Sequence, residues 1–101
     1  MKPMLEDISL QVVEVGGCTL HALRFILQGV PCVLLAGETG FVGCGAFDIH
    51  TFGRLGVPAA KVTGVSAVED LLAAVIAESN EPARERGIRE GMPVTTVVRL
   101  L

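Results

Sequence analysis

The segment Gly40-Phe41-Val42-Gly43-Cys44-Gly45-Ala46-Phe47-Asp48 sets a thiol between glycines and follows it with a carboxylate. Cys44 is suited to nucleophilic chemistry, and Asp48 is an acid close enough in sequence to assist it. A free thiol with a pKa of about 8.5 is only a few per cent thiolate at neutral pH, so an active cysteine needs a helix N-terminus or a cation beside it. A helix starting near Asp48 would help, and a charged Asp48 would oppose it. His50, and Lys61 from a facing element, are the candidate proton acceptors or electrostatic supports. In a binding version of the same site, Gly43 and Gly45 let a ligand approach the backbone, with His50, Lys61 and Ser66 around it. The opposing reading makes Cys44 a small buried hydrophobe, its glycines points of close strand packing, and Asp48 a helix cap.

Other arrangements carry less chemistry. Gly37-x-x-Gly40-x-x-Gly43-x-Gly45 lacks the Lys-Ser/Thr pair of a phosphate loop and leads into a strand, so it reads as a turn. Cys18-x-x-His21, and Cys44 with His50, offer sulfur and nitrogen ligands without a familiar zinc spacing, so neither a metal centre nor a cofactor is expected. The odd number of cysteines, Cys18, Cys32 and Cys44, contains no C-x-x-C pair and does not indicate a disulfide framework. Backbone N–H groups at Gly64-Val65-Ser66, with Lys61 nearby, form a second anion candidate, although Ser66 also reads as a simple cap. The run Arg84-Glu85-Arg86 to Arg89-Glu90 reads as a solvated face with local ion pairs.

The elements that must position these residues are strands in the first half and helices in the second. Ile8, Leu10 and Val12 alternate with Ser9 and Gln11 and stop at Gly16-Gly17, a hairpin dipeptide. Leu20 to Leu27 continues as a strand apolar on both faces, Gln28-Gly29 breaks it, and Pro31 to Ala36 reads as a strand covered on both sides. The spacing predicts three antiparallel strands, then a strand over 41–47, a short helix from Asp48 bearing Ile49 and Phe52, and a strand over 59–65. A helix over 66–79 is predicted from a Ser66/Glu69 capping box and from Val68, Leu71, Leu72, Val75 and Ile76 on one face. Asn80, Pro82 and Gly87 punctuate the next stretch, and Val94, Val97, Val98 and Leu101 follow helical spacing.

Composition bounds the rest. A chain of 101 residues fits one domain, expected over residues 1–101. Half its residues are hydrophobic, 19% are charged, and mean hydropathy is +0.59, so it should fold. A net charge of −3 and the absence of Trp and Tyr argue against nucleic acid. The run from Val30 to Gly37 is too short to span a bilayer, and the first residues do not resemble a signal peptide, so a cytoplasmic protein without a membrane partner is expected. So much apolar surface in so small a chain predicts a homo-oligomer, a dimer or trimer.

Three blocks are similar to a known family. Gly40 to Asp48 resembles the G-aromatic-x-x-C-G-A-hydrophobic-D motif of the YunC-like proteins of bacteria and archaea. Ala60-Lys61-Val62-Thr63-Gly64-Val65 with Val68-Glu69-Asp70-Leu71-Leu72, and Gly87-Ile88-x-x-Gly91-Met92, resemble that family's later blocks. The resemblance implies a compact α+β domain, no established reaction, and Cys44, Gly45 and Asp48 as the functional positions. Where the family pattern has Arg, this chain has Lys61, and where it has Arg-Thr, this chain has Ser66-Ala67; an ammonium does not replace a planar guanidinium fork. The expected architecture is α+β, a mostly antiparallel sheet with two to three helices packed on it. The expected function is a homo-oligomeric module that binds a small molecule or partner around Gly43–Asp48. A small cysteine enzyme using Cys44 and an auxiliary subunit without a ligand remain the alternatives.

Overall fold

The computed structural model describes residues 4–101. Its strands are β1 (Leu5–Val15), β2 (Cys18–Leu27), β3 (Val30–Ala36), β4 (Phe41–Gly43), β5 (Ala59–Lys61) and β6 (Glu78–Ser79), which form one sheet in sequence order. The helices are α1 (Ile49–Arg54), α2 (Val68–Leu72), α3 (Glu81–Glu85) and α4 (Val94–Val97), the last running into a 3₁₀ turn over Val98–Leu100. The fold is α+β, as expected. Among the described residues it carries four α-helices rather than two to three, and the sheet is mixed: β4 and β5 pair in parallel, and the other neighbours pair antiparallel.

Local chemistry explains the first half. Gly16 and Gly17 sit at φ of 57° and 81°, and Gln28 and Gly29 at 51° and 80°, so both hairpin turns have two left-handed central residues, which match the twist of the strands they join. The register then fixes two faces, because side chains alternate along a strand and align across it. On one face the row Ala22–Leu35–Val42–Ala60 is fully buried beneath α2, α4 and the segments around them. On the other, one row crosses all six strands: Leu10, Leu23, Leu34, Gly43, Lys61 and Glu78. The apolar half of that row becomes ionic at β5. Over this end lies α1, whose Ile49 packs with Phe41 and Ala59.

The predicted helix over 66–79 shrinks to Val68–Leu72. Its cap also differs: Asp70, not Glu69, reaches back, accepting from Ser66 N at 3.2 Å and Ala67 N at 3.2 Å. Beyond Leu72 the backbone finds partners distant in sequence. Ile76 N donates to Met92 O at 2.8 Å, Ala77 N donates to Lys61 O at 2.8 Å, and Glu78–Ser79 pairs with β5. The predicted strands over 41–47 and 59–65 are likewise trimmed to three residues each. The C-terminal spacing holds, with Val94, Val97, Val98 and Leu101 all buried. No helix among the described residues is long and apolar enough to cross a membrane.

Candidate functional site

Gly43 ends β4 on the face covered by α1, and a Cβ there would meet the Phe47 ring at 2.8 Å, so the close approach predicted at this glycine is made by the chain's own aromatic. Cys44 follows. It is 4% exposed, its Sγ accepts from Val33 N–H at 3.5 Å, and its N–H donates to Val33 O at 3.0 Å, which locks the segment to β3. Burial pushes the neighbouring Cys32 thiol up, and Cys44 adds to that shift. A thiol enclosed in this way meets a substrate only if the packing around it opens. In native protein, Cys18, half-buried, should therefore alkylate first, with Cys32 and Cys44 protected until denaturant is added, as read by mass spectrometry at each site. Modification of native Cys44 ahead of Cys18 would contradict this.

Gly45 is exposed and open, with nothing within 4 Å of a Cβ. Asp48 caps α1: Oδ1 accepts from His50 N at 3.0 Å and Oδ2 from the Thr51 hydroxyl at 2.8 Å. These bonds, the Thr51 hydroxyl first, hold its carboxyl below the ordinary carboxylate range despite some desolvation. Ser66 is occupied within its own loop. Its amide and hydroxyl donate to Asp70, and its carbonyl accepts from Arg24 Nε at 2.7 Å.

The structure brings two of the candidate residues together through a third that the sequence did not mark. Lys61 on β5 and Glu78 on β6 are register partners, and α1 places His50 over them. Glu78 Oε1 is closed off from solvent and makes no hydrogen bond; His50 Nε2 lies 3.4 Å from it and Lys61 Nζ 3.6 Å. Lys61 thus sets a positive charge beside the carboxylate, and the His50 imidazole lies against the same oxygen.

His50 also borders a cleft of about 430 Å³ between α1 and α3, lined by Gly53, Arg54, Asn80, Glu81 and Arg84. Both arginines are held at one corner. Arg54 Nη2 donates to Thr51 Oγ1 at 3.1 Å, and Arg84 Nη1 donates to Ser79 O. Among the described residues the arginines beyond α3 make hydrogen bonds rather than ion pairs: Arg86 Nη1 donates to Leu100 O at 3.0 Å and to the Thr39 hydroxyl, and Arg89 Nη1 donates to Arg84 O. A second cleft, of about 460 Å³, opens beside Cys18, Thr39, Arg86 and Arg99, and none of the candidate residues line it. Among the described residues, no group of three or more His, Cys, Asp or Glu stands ready to hold a metal ion.

Residues 43–101, more than half of the sequence, match the model of a domain of unknown function, DUF1805. The chain belongs to the DUF1805 family. No curated protein matches it. This DUF1805 chain is similar in fold to a protein of unknown function, TA1206 from Thermoplasma acidophilum, whose crystal structure aligns with a TM-score of 0.88 over 98% of this chain and 96% of that one. At 24% identity the likeness is one of architecture. The match to DUF1805 begins at Gly43, so it takes in Cys44, Asp48, His50, Lys61 and Glu78 and leaves out the three long strands.

Proposed function

We propose that this DUF1805 protein is a binding module for a small anionic molecule, a carboxylate or phosphate compound, seated in the cleft between α1 and α3. The observation that carries this reading is that His50, Arg54 and Arg84 line one cleft and that both arginines are already restrained from behind, by the Thr51 hydroxyl and the Ser79 carbonyl. Restrained donors lose less conformational entropy when a ligand arrives. With Lys61 offsetting Glu78, the two guanidiniums face one further carboxylate, Glu81, so the cleft retains positive charge. A guanidinium presents five donors in a plane, and the one corner spent on the protein leaves an edge for a carboxylate or phosphate.

The reading moves the site from Gly43–Cys44 to the Asp48–Arg54 helix and its partners. The thiol becomes part of the buried core beside β3, which favours binding over cysteine catalysis. The three sequence blocks around Gly40, Ala60 and Gly87 support placing the protein with the YunC-like group.

Inorganic phosphate and succinate are the probes. Either should shift the His50 ring resonances saturably at millimolar concentration, and Arg54→Ala with Arg84→Ala should weaken that binding about ten- to hundredfold, as expected for charge-assisted hydrogen bonds. Non-saturable shifts, or equal binding by the double variant, would refute the proposal.

A further inference from the structure

The cleft between α1 and α3 is lined by four ionisable side chains, His50, Arg54, Glu81 and Arg84. Guanidiniums and carboxylates hold one charge state between about pH 6 and pH 8, whereas imidazole changes its own there. Two guanidiniums against one carboxylate leave the lining with one net positive charge when His50 is neutral and two when it is protonated. The charged groups about the ring come from every element near it: Asp48 and Arg54 from α1, Lys61 from β5, Glu78 from β6, and Glu81 and Arg84 from α3.

We infer that an anion enters this cleft together with a proton, which His50 takes up, so that pH sets the affinity of the site. The inference rests on the reading of the cleft as an anion site and specifies what controls it. His50 Nε2 lies 3.4 Å from Glu78 Oε1, an oxygen closed off from solvent that makes no hydrogen bond. A neutral imidazole has one N–H and one lone pair, and a carboxylate beside one nitrogen draws the proton to it. Neutral His50 therefore carries its proton on Nε2 and has only a lone pair on Nδ1, which offers an anion no donor. The imidazolium has an N–H on both nitrogens: Nε2–H stays towards Glu78, and Nδ1–H is left for the ligand.

Lys61 is what lets this charge reach the cleft. A carboxylate with no other cation beside it would cancel the imidazolium it faces. Lys61 Nζ, however, lies 3.6 Å from the same Oε1, so the β5–β6 pair is balanced before His50 gains a proton. Asp48, the other carboxylate near the ring, spends Oδ1 on the His50 amide and Oδ2 on the Thr51 hydroxyl. Protonation thus adds one further positive charge to the lining, and two positive charges suit a dianion, such as a phosphate monoester or a dicarboxylate. The sign follows: affinity is full while the imidazole is protonated and falls as pH rises through its titration. Because such linkage is reciprocal, a bound anion holds that proton to higher pH.

Titration calorimetry with sodium sulfate at constant ionic strength tests this, because sulfate keeps its charge between about pH 6 and pH 8 whereas phosphate exchanges a proton there. The association constant should be about tenfold lower at the upper end of that range than at the lower. The heat of binding should also vary with the ionisation enthalpy of the buffer in the sense of proton uptake. His50 is exposed, so its substitution leaves the fold intact. His50→Gln should bind sulfate weakly and equally at both ends of the range, and His50→Lys, whose charge is fixed, tightly and equally at both; a merely structural role would not separate the two. In an NMR titration of the unsubstituted protein, sulfate should move the His50 midpoint to higher pH and leave that of His21, on β2, in place. Equal sulfate affinity at both ends overturns the inference and leaves the anion reading standing, whereas the absence of saturable heat at either end overturns both. A pH dependence that persists in His50→Gln assigns the proton to another group and overturns the inference as well.

Discussion

Asn80→Ala should destabilise the protein by about 3–5 kcal/mol, the largest loss expected of any single truncation outside the aliphatic core. Asn80 is 3% exposed and uses all of its side-chain hydrogen-bonding capacity on backbone. Nδ2 donates to Ile49 O and Val57 O, both at 2.9 Å, while Oδ1 accepts from Ala59 N at 3.1 Å and Ala83 N at 3.0 Å. One amide therefore ties α1, the 55–58 turn, β5 and α3 together. Truncation strands two donors and two acceptors in the interior, where each orphaned group costs about 1–3 kcal/mol, and it also removes the N-cap of α3. Asn80→Asp keeps the shape and both acceptors but points an oxygen at two carbonyls, so it should not rescue stability. Equilibrium denaturation in urea reads both variants, and a loss below about 1 kcal/mol for Asn80→Ala would mean that water replaces the amide. Because Arg54 and Arg84 stand on the two helices that Asn80 joins, the same variant should weaken phosphate binding even where it remains folded.

The hairpins were legible because their determinants are local: Gly16-Gly17 and Gln28-Gly29 dictate turn geometry, and alternation dictates the strands between them. The Asp48 cap is local too, a carboxylate two and three residues from the groups it binds. The 66–79 helix was not legible, because Val75 and Ile76 fall at helical spacing by coincidence with Leu71 and Leu72. What decides their conformation is a set of backbone partners 15 or more residues away, at Met92 and Lys61. Glu78 escaped notice for the same reason. A lone glutamate in a supposed helix reads as solvated, and only the β5–β6 register puts it beside Lys61 with His50 above. Cys44 was visible as a candidate, but its burial depends on the pairing with Val33, a contact that sequence spacing does not encode.

The glycines of the Gly40–Asp48 segment separate by role, and the separation gives opposite signs for chemically identical substitutions. A methyl group on Gly40 would run into the carbonyl oxygen of Pro58 and approach its Cβ at 3.0 Å. That carbonyl accepts from Phe41 N at 3.1 Å, the bond that begins the parallel pairing of β4 with β5, so the clash cannot be relieved by rotating a side chain. Gly40 N also donates to Leu101 O at 3.1 Å, and any retreat of the backbone loosens the C-terminal segment as well. Gly40→Ala should therefore cost about 2–4 kcal/mol, at or above the usual range for overpacking. Gly45 has open space where a Cβ would go and no left-handed φ, so Gly45→Ala should be neutral or stabilise by about 0.4–1 kcal/mol through the lower entropy of the unfolded chain. Thermal or urea denaturation of the two variants side by side distinguishes the cases. If Gly45→Ala is stable yet abolishes phosphate or succinate binding, the ligand approaches the backbone at Gly45 and the anion cleft extends back towards Cys44. If it binds normally, Gly45 lies outside the site, and the requirement for glycine in this segment is one of packing, concentrated at Gly40 and Gly43.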